Sequence, residues 1–179
     1  MPRLAASVTG ADPMKTLERT LGLWAFRFLL ISLAISPVRE LAGINLLRYR
    51  RAVGLLAFFY ALLHLSTYAV LDQVLDFAAI WADIVKRPYI TVGMLAFAIL
   101  VPLAVTSNNA MVRRLGGAAW ARLHSWVYLA GSAAAAHYLL LVKSWTAQPL
   151  TYASLMALLL GYRVYRRLRG RRRPRLATA

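Results

Sequence analysis

The 179-residue chain contains no cysteine. Disulfides, thiolate metal sites and iron–sulfur clusters are therefore excluded. Acidic residues are scarce as well: 6 Asp and Glu stand against 22 Lys and Arg, giving a net charge of +16 and a pI of about 11.4. Such a balance can mark nucleic-acid binding. Here the basic residues gather just outside apolar stretches instead of striping a polar fold, so membrane lipid, not nucleic acid, is the expected partner. No glycine-rich nucleotide fingerprint occurs, and no connecting loop is long enough for a soluble domain. The first fifteen residues hold no apolar core of signal-peptide type, so insertion is expected through the first membrane helix.

What the chain has in abundance is apolar length. It is 60% hydrophobic, with a mean hydropathy of +0.57. Five spans are expected, over Leu21–Ser36, Ala52–Leu71, Tyr89–Val105, Ala118–Val142 and Leu150–Tyr165. A span takes about 20 mostly apolar residues, so the first and last must extend into flanking polar turns. No alternating barrel pattern is present, and backbone satisfaction in lipid then requires helices. The expected fold is an all-α integral membrane bundle.

Loop charges set its orientation. Arg39, Arg48, Arg50 and Arg51 occupy the first connection, and Arg113, Arg114 and Arg122 the third. The second balances Asp72, Asp76 and Asp83 against Lys86 and Arg87, and the fourth has only Lys143. The tail carries Arg163, Arg166, Arg167, Arg169, Arg171, Arg172, Arg173 and Arg175. This alternation predicts an outside amino terminus and an inside carboxyl terminus. The chain then divides into an outer segment (1–20), a transmembrane domain (21–166) and a basic inner tail (167–179).

Only three histidines occur, and all lie in apolar stretches: His64 in AFFYALLHLSTYAV, His124 and His137 in ARLHSWVYLAGSAAAAHYLLLV. An ionisable ring at membrane depth is costly and tends to face a bundle interior or a site. Neutral imidazole is also suited to haem iron, and two rings can clamp one iron axially. Counting from span ends puts His64 and His137 toward the outer side and His124 near the inner end. The thirteen residues between His124 and His137 correspond to ~20 Å along a helix, but leave them ~140° apart around it unless the helix bends or overwinds. The small run from Gly131 to Ala136 between them admits either a flat macrocycle or a neighbouring helix.

His124 lacks a histidine partner at its own depth. Arg50, fourteen residues before His64 and beside Arg51, either binds haem propionates or anchors its helix at the inner surface. Arg27, inside the first span, either snorkels or holds a propionate or a quinone head group. Tyr60, His64 and Tyr68, and likewise His124 and Tyr128, recur at four-residue steps and could line a pocket or simply pack. Trp24, Trp81, Trp120, Trp126 and Trp145 fall near span ends, as in an ordinary aromatic belt.

Three blocks, RRAVGLLAFFYALLHLSTY (50–68), KRPYITVGMLAFAILVPLAVTSNNAM (86–111) and LGGAAWARLHSWVYLAGSAAAAHYLLLVKS (115–144), carry a resemblance. Together they resemble the haem-binding membrane subunit of the periplasmic methionine sulfoxide reductase system, the MsrQ/YedZ family. That family lies in the ferric-reductase-like transmembrane superfamily, which also contains NADPH oxidases. His64, His124 and His137 fall on the family's histidines. The resemblance implies a b-type haem protein of the bacterial inner membrane, with these residues as axial ligands. It further implies electrons drawn from the quinone pool and passed to a periplasmic molybdopterin subunit that reduces methionine sulfoxide in oxidised envelope proteins. FMN is also associated with the family, with no residue pattern here to locate it. In such a system the sulfoxide chemistry belongs to the partner's cofactor, and this subunit is a conduit. Family members commonly carry six membrane helices, and this chain is expected to lack the first. The competing expectations are a stand-alone ferric or cupric reductase, weakened by the absence of a flavin/NADPH domain, and a haem-free transport or structural protein.

Overall fold

The computed structural model describes residues 13–142 and 146–171, and these are all-helical. Helix α1 spans Pro13–Ala42; a 3₁₀ turn, Leu47–Tyr49, leads into α2, Arg50–Ser66, which continues as a π-type turn over Thr67–Asp72. Then follow α3 (Phe77–Lys86), α4 (Pro88–Val105), α5 (Asn109–Leu115), α6 (Gly117–His124), α7 (Val127–Leu141) and α8 (Ala147–Arg171). Among the described residues, three helices are long and apolar enough to cross a membrane: Pro13–Ala42, Leu47–Asp72 and Pro88–Val105. Lys143 and Trp145, like Arg172, Arg173 and Arg175 of the tail, lie outside the described residues.

The element ends follow local chemistry. Helix α1 stops where Gly43 takes φ 73°, the left-handed conformation that suits a glycine after a helix. Asp76 caps α3, its carboxylate accepting from the Ala78 and Ala79 amides at 3.0 Å each. Pro88 opens α4 at a position where no backbone donor is needed. Asn108 caps α5 through the Met111 amide at 2.8 Å. Gly116, at φ 75°, turns the chain from α5 into α6.

Three features depart from the sequence expectation, α3 in a predicted loop being one of them. Residues 13–20, assigned to an outer segment, are already helical and continuous with α1. The segment Ala118–Val142 is not one helix, because it breaks after His124. There the Ser125 amide reaches the Arg122 carbonyl at 3.1 Å, Trp126 reaches Leu123 at 3.1 Å and Tyr128 reaches Ser125 at 3.2 Å. The Ser125 hydroxyl also donates to the Arg122 carbonyl at 2.6 Å. Bonds to the third preceding residue overwind the chain locally, and a serine competing for the carbonyl promotes the break.

Helix α1 lies at the centre. Its Phe26, Leu29, Leu30 and Leu33 share the core with Ala57 of α2, Ile99, Leu100 and Leu103 of α4, Ala130 and Ala135 of α7, and Met156 of α8. Helices α1 and α2 pack along their lengths, as do α4 and α7, and α8 closes against α1 and α7. The small run on α7 serves this packing: a Cβ at Gly131 would stand 2.7 Å from the Met156 Cε and 3.5 Å from a Leu33 methyl. Many large apolar side chains on α2, among them Leu56, Phe59 and Leu62, face outward. In water such a surface would be a liability, whereas in lipid it is the ordinary exterior of a bundle.

Pro37 lies inside α1 and has no N–H to offer the Leu33 carbonyl. The Arg163 guanidinium from α8 fills that role, donating to the Leu33 carbonyl at 2.8 Å and to the Tyr128 hydroxyl of α7. One side chain therefore ties three helices together at a point where the backbone of α1 is incomplete. A cavity of about 260 Å³ opens beside it, lined by residues of α1, α7 and α8 that include Glu40, Tyr162 and Arg166. Glu40 is held there by Arg166 and by the Tyr162 hydroxyl.

Candidate functional site

His64 on α2 and His137 on α7 are neighbours, with ring centroids 6.3 Å apart and planes inclined at 69°. Neither ring is anchored by its own helix. His64 Nδ1 lies 2.9 Å from the Glu18 carbonyl of α1, and His137 Nδ1 lies 2.6 Å from the Tyr89 carbonyl of α4. A carbonyl oxygen only accepts, so each Nδ1 carries the proton and donates it. That assignment leaves each Nε2 with its lone pair, the form in which imidazole binds a metal.

Glycines make room for both rings. Gly22 lies one helical turn beyond Glu18, and a Cβ there would meet His64 Nδ1 at 3.1 Å. Gly93 lies one turn beyond Tyr89, and a Cβ there would meet His137 Nδ1 at 2.7 Å and Cε1 at 2.9 Å. The same arrangement thus occurs twice, once between α1 and α2 and once between α4 and α7. Above the pair, the Tyr68 hydroxyl donates to Asp83 of α3 at 3.2 Å, and Asp83 in turn pairs with Arg87 at 3.1 Å. Helix α3, formed where the charge pattern predicts a loop, therefore covers this end of α2.

His124 sits apart, at the other end of α4. Its Nε2 is 3.0 Å from the Thr106 hydroxyl, and its ring stacks on Trp120 with centroids 3.8 Å apart. Because Thr106 donates its own hydroxyl proton to the Pro102 carbonyl at 2.6 Å, it accepts from His124, whose Nε2 is then protonated. Trp120 also donates its indole N–H to the Thr106 carbonyl at 2.9 Å. On the same side, Arg51 donates to the Asn109 side chain at 2.8 Å. Tyr89 and Thr106, which hold the two histidines of the fourth expected span, are 17 residues apart along α4. That is ~25 Å at 1.5 Å per residue.

The remaining candidates are engaged elsewhere. Arg27 donates through Nε to the Tyr152 hydroxyl at 2.7 Å and lies over the Trp24 ring, 4.8 Å from its centroid. Tyr60 packs on Phe28 with centroids 5.2 Å apart, and Tyr128 receives Arg163. The sequence reading missed the Glu18 and Tyr89 carbonyls, Gly22, Gly93 and Thr106, and it read Trp120 only as an interfacial anchor. Backbone acceptors leave no residue-type signal. The two glycines did leave one, since glycine inside a helix costs about 1 kcal/mol against alanine and calls for a reason.

A helical membrane bundle that places two histidines of facing helices side by side defines a class, and a family model agrees with it. The family described as "Ferric reductase like transmembrane component" matches residues 21–135, and the chain belongs to that family. Within it the likeness is closer still. Over 172 residues, 96% of this chain and 78% of the relative, it is 55% identical to "Protein-methionine-sulfoxide reductase heme-binding subunit MsrQ" of Brucella ovis (strain ATCC 25840 / 63/290 / NCTC 10512). The proteins of that name from Brucella abortus (strain 2308) and Brucella melitensis biotype 2 (strain ATCC 23457) match at the same identity and coverage. The chain is accordingly a member of the MsrQ family.

Proposed function

We propose that the chain is a b-type haem subunit of the bacterial inner membrane, carrying electrons from the quinone pool to a periplasmic molybdopterin reductase that repairs methionine sulfoxide. The observation that carries this reading is the His64–His137 pair. A metal–imidazole bond is ~2.0–2.1 Å long and the ring centroid lies ~1.2 Å behind Nε2, so two rings on opposite sides of one metal would have centroids ~6.4–6.6 Å apart. The observed 6.3 Å lies just below that interval, close enough for a small adjustment of either ring to meet it. Among the described residues no group of three or more His, Cys, Asp or Glu gathers. Two imidazoles alone make a poor metal site, but they complete a macrocycle that supplies four equatorial nitrogens. The residues present therefore fit a haem.

When bound, the haem iron supplies one-electron transfer. The protein's part is to hold His64 and His137 by backbone carbonyls of α1 and α4, in one tautomer, within an apolar surround. His124 belongs to an inner site, where Arg50 and Arg51 suit propionate carboxylates. Ligation there through Nε2 requires its release from Thr106. Arg27, with Tyr152 and Trp24, is the candidate contact for a propionate or a quinone head group. FMN, the other cofactor implied by the resemblance, has no residues assigned to it.

In this reading the broken α6–α7 segment and α8 are the fourth and fifth spans, with the amino terminus outside and the basic tail (167–179) inside. The transmembrane domain covers 21–166. His64, His137 and α3 then lie toward the periplasm, where the partner docks, and the arginine-rich end of α8 meets the inner leaflet.

The test is direct. Protein purified in detergent is expected to show the Soret and α bands of a low-spin b haem, sharpening on reduction. His124→Ala is expected to leave the outer haem's bands in place and to alter only the inner component. Wild-type protein without any haem chromophore would overturn the reading.

A further inference from the structure

We infer that α1 and α4, which carry no histidine, set the coordination of the outer site through Gly22 and Gly93, each acting as a positioning residue with the carbonyl one turn before it. The inference rests on the bis-histidine reading and deepens it by assigning the element that aims each ring. In each pair the helix presents a carbonyl to Nδ1–H and, at the next turn on the same face, a position without a side chain. The Glu18 and Tyr89 carbonyls are already inside helices, where their ordinary partners are the amides of Gly22 and Gly93. Each carbonyl thus uses its second lone pair for a ring from the neighbouring helix, the shared geometry that carbonyls allow.

The ring approaches that closely only because the next turn has no Cβ. The clearances are graded. A Cβ at Gly93 would fall 2.7 Å from His137 Nδ1 and one at Gly22 would fall 3.1 Å from His64 Nδ1. By contrast, one at Gly54 would stand 3.6 Å from the Ser32 hydroxyl, and Gly161 has nothing within 4 Å. The atoms in the way at Gly93 belong to a ring that cannot yield without breaking its own bond to the Tyr89 carbonyl at 2.6 Å. A methyl group there therefore turns the imidazole away from the position in which it would meet a haem iron. Outer partners of metal-ligating histidines typically account for 10–100-fold in metal affinity. The same size of effect is assigned here to two residues with no polar side chain.

The experiment compares Gly93→Ala, Gly22→Ala, Gly54→Ala and Gly161→Ala with wild type in detergent. Haem is quantified per protein, and spectra of the ferrous state are recorded with and without carbon monoxide. In wild type His64 and His137 would fill both axial positions of the outer haem, so carbon monoxide is expected to leave its bands unchanged, and any binding at the inner component serves as the wild-type baseline. Gly93→Ala is expected to lose about 10-fold or more in haem retention and to leave the remaining ferrous haem open to carbon monoxide. Gly22→Ala follows in the same direction by less, and Gly54→Ala and Gly161→Ala behave as wild type. Alanine favours a helix over glycine, and monodispersity on gel filtration separates a ligation effect from misfolding. Gly93→Ala with wild-type haem content and no carbon monoxide binding beyond that of wild type overturns the inference while leaving the haem reading standing. Wild-type protein devoid of haem overturns that reading and the inference together.

Discussion

His64→Ala and His137→Ala are each expected to abolish the outer low-spin haem completely. Each ring supplies one of the two donors of the proposed site, and the nearby tyrosine hydroxyls are engaged elsewhere. Tyr68 is bound to Asp83, the Tyr89 hydroxyl receives Arg87 at 3.3 Å, and no further His, Cys, Asp or Glu cluster exists among the described residues. The loss should exceed the ~10–100-fold that a change in a ligand's outer partner costs, since a direct ligand is removed. Reduced-minus-oxidised spectra and haem per protein measure it. Either single variant retaining wild-type haem content would place the site elsewhere. Equal and complete loss of all haem in the His64, His137 and His124 variants would argue against two separate sites.

The sequence shows the helical class and the apolar spans because hydropathy is a local property of the chain. Three of the expected spans coincide with helices long enough to cross, and the first runs well beyond its apolar stretch because Pro13–Thr20 is helical despite its polarity. The break after His124 was hidden, since Ala118–Val142 has no proline, and the turn arises from Ser125 competing for a carbonyl. Helix α3 was hidden for another reason. Its charges read as a solvated loop, whereas Asp76 caps it and Asp83 is spent on Tyr68 and Arg87.

At the site, counting from span ends put His64 and His137 at one depth, and their rings are neighbours; their role as ligands is the proposal made above. The means of holding them could not be read, because it consists of carbonyls and of missing side chains on two other helices. The division of labour is physical. A ligand's own helix sets its depth, while the neighbouring helix sets tautomer and aim. Arg27 shows the complementary limit, since its cost in a membrane span was visible and its partner Tyr152, on the last helix, was not.

The second large effect concerns stability. Arg163→Leu is expected to destabilise the bundle by ~2–3 kcal/mol, because it strips donors from two acceptors, the Leu33 carbonyl and the Tyr128 hydroxyl, each worth ~1–3 kcal/mol when left unpaired. The lower part of the summed range applies because Arg163 is only half-buried and water can relieve part of the loss. The Leu33 carbonyl has this dependence only because Pro37 denies it the helix's own donor. Pro37→Ala restores an N–H at that position, so Arg163→Leu should cost less in the Pro37→Ala background than in wild type. A coupling of ~1 kcal/mol or more in the double-mutant cycle is expected for groups in direct contact. Thermal midpoints in detergent, read from helical circular dichroism, provide the four corners of the cycle, with Arg163→Leu alone lowered by ~5–10 °C. Additive effects of the two substitutions would show that Arg163 stabilises the bundle through Tyr128 alone and that the proline-freed carbonyl needs no partner.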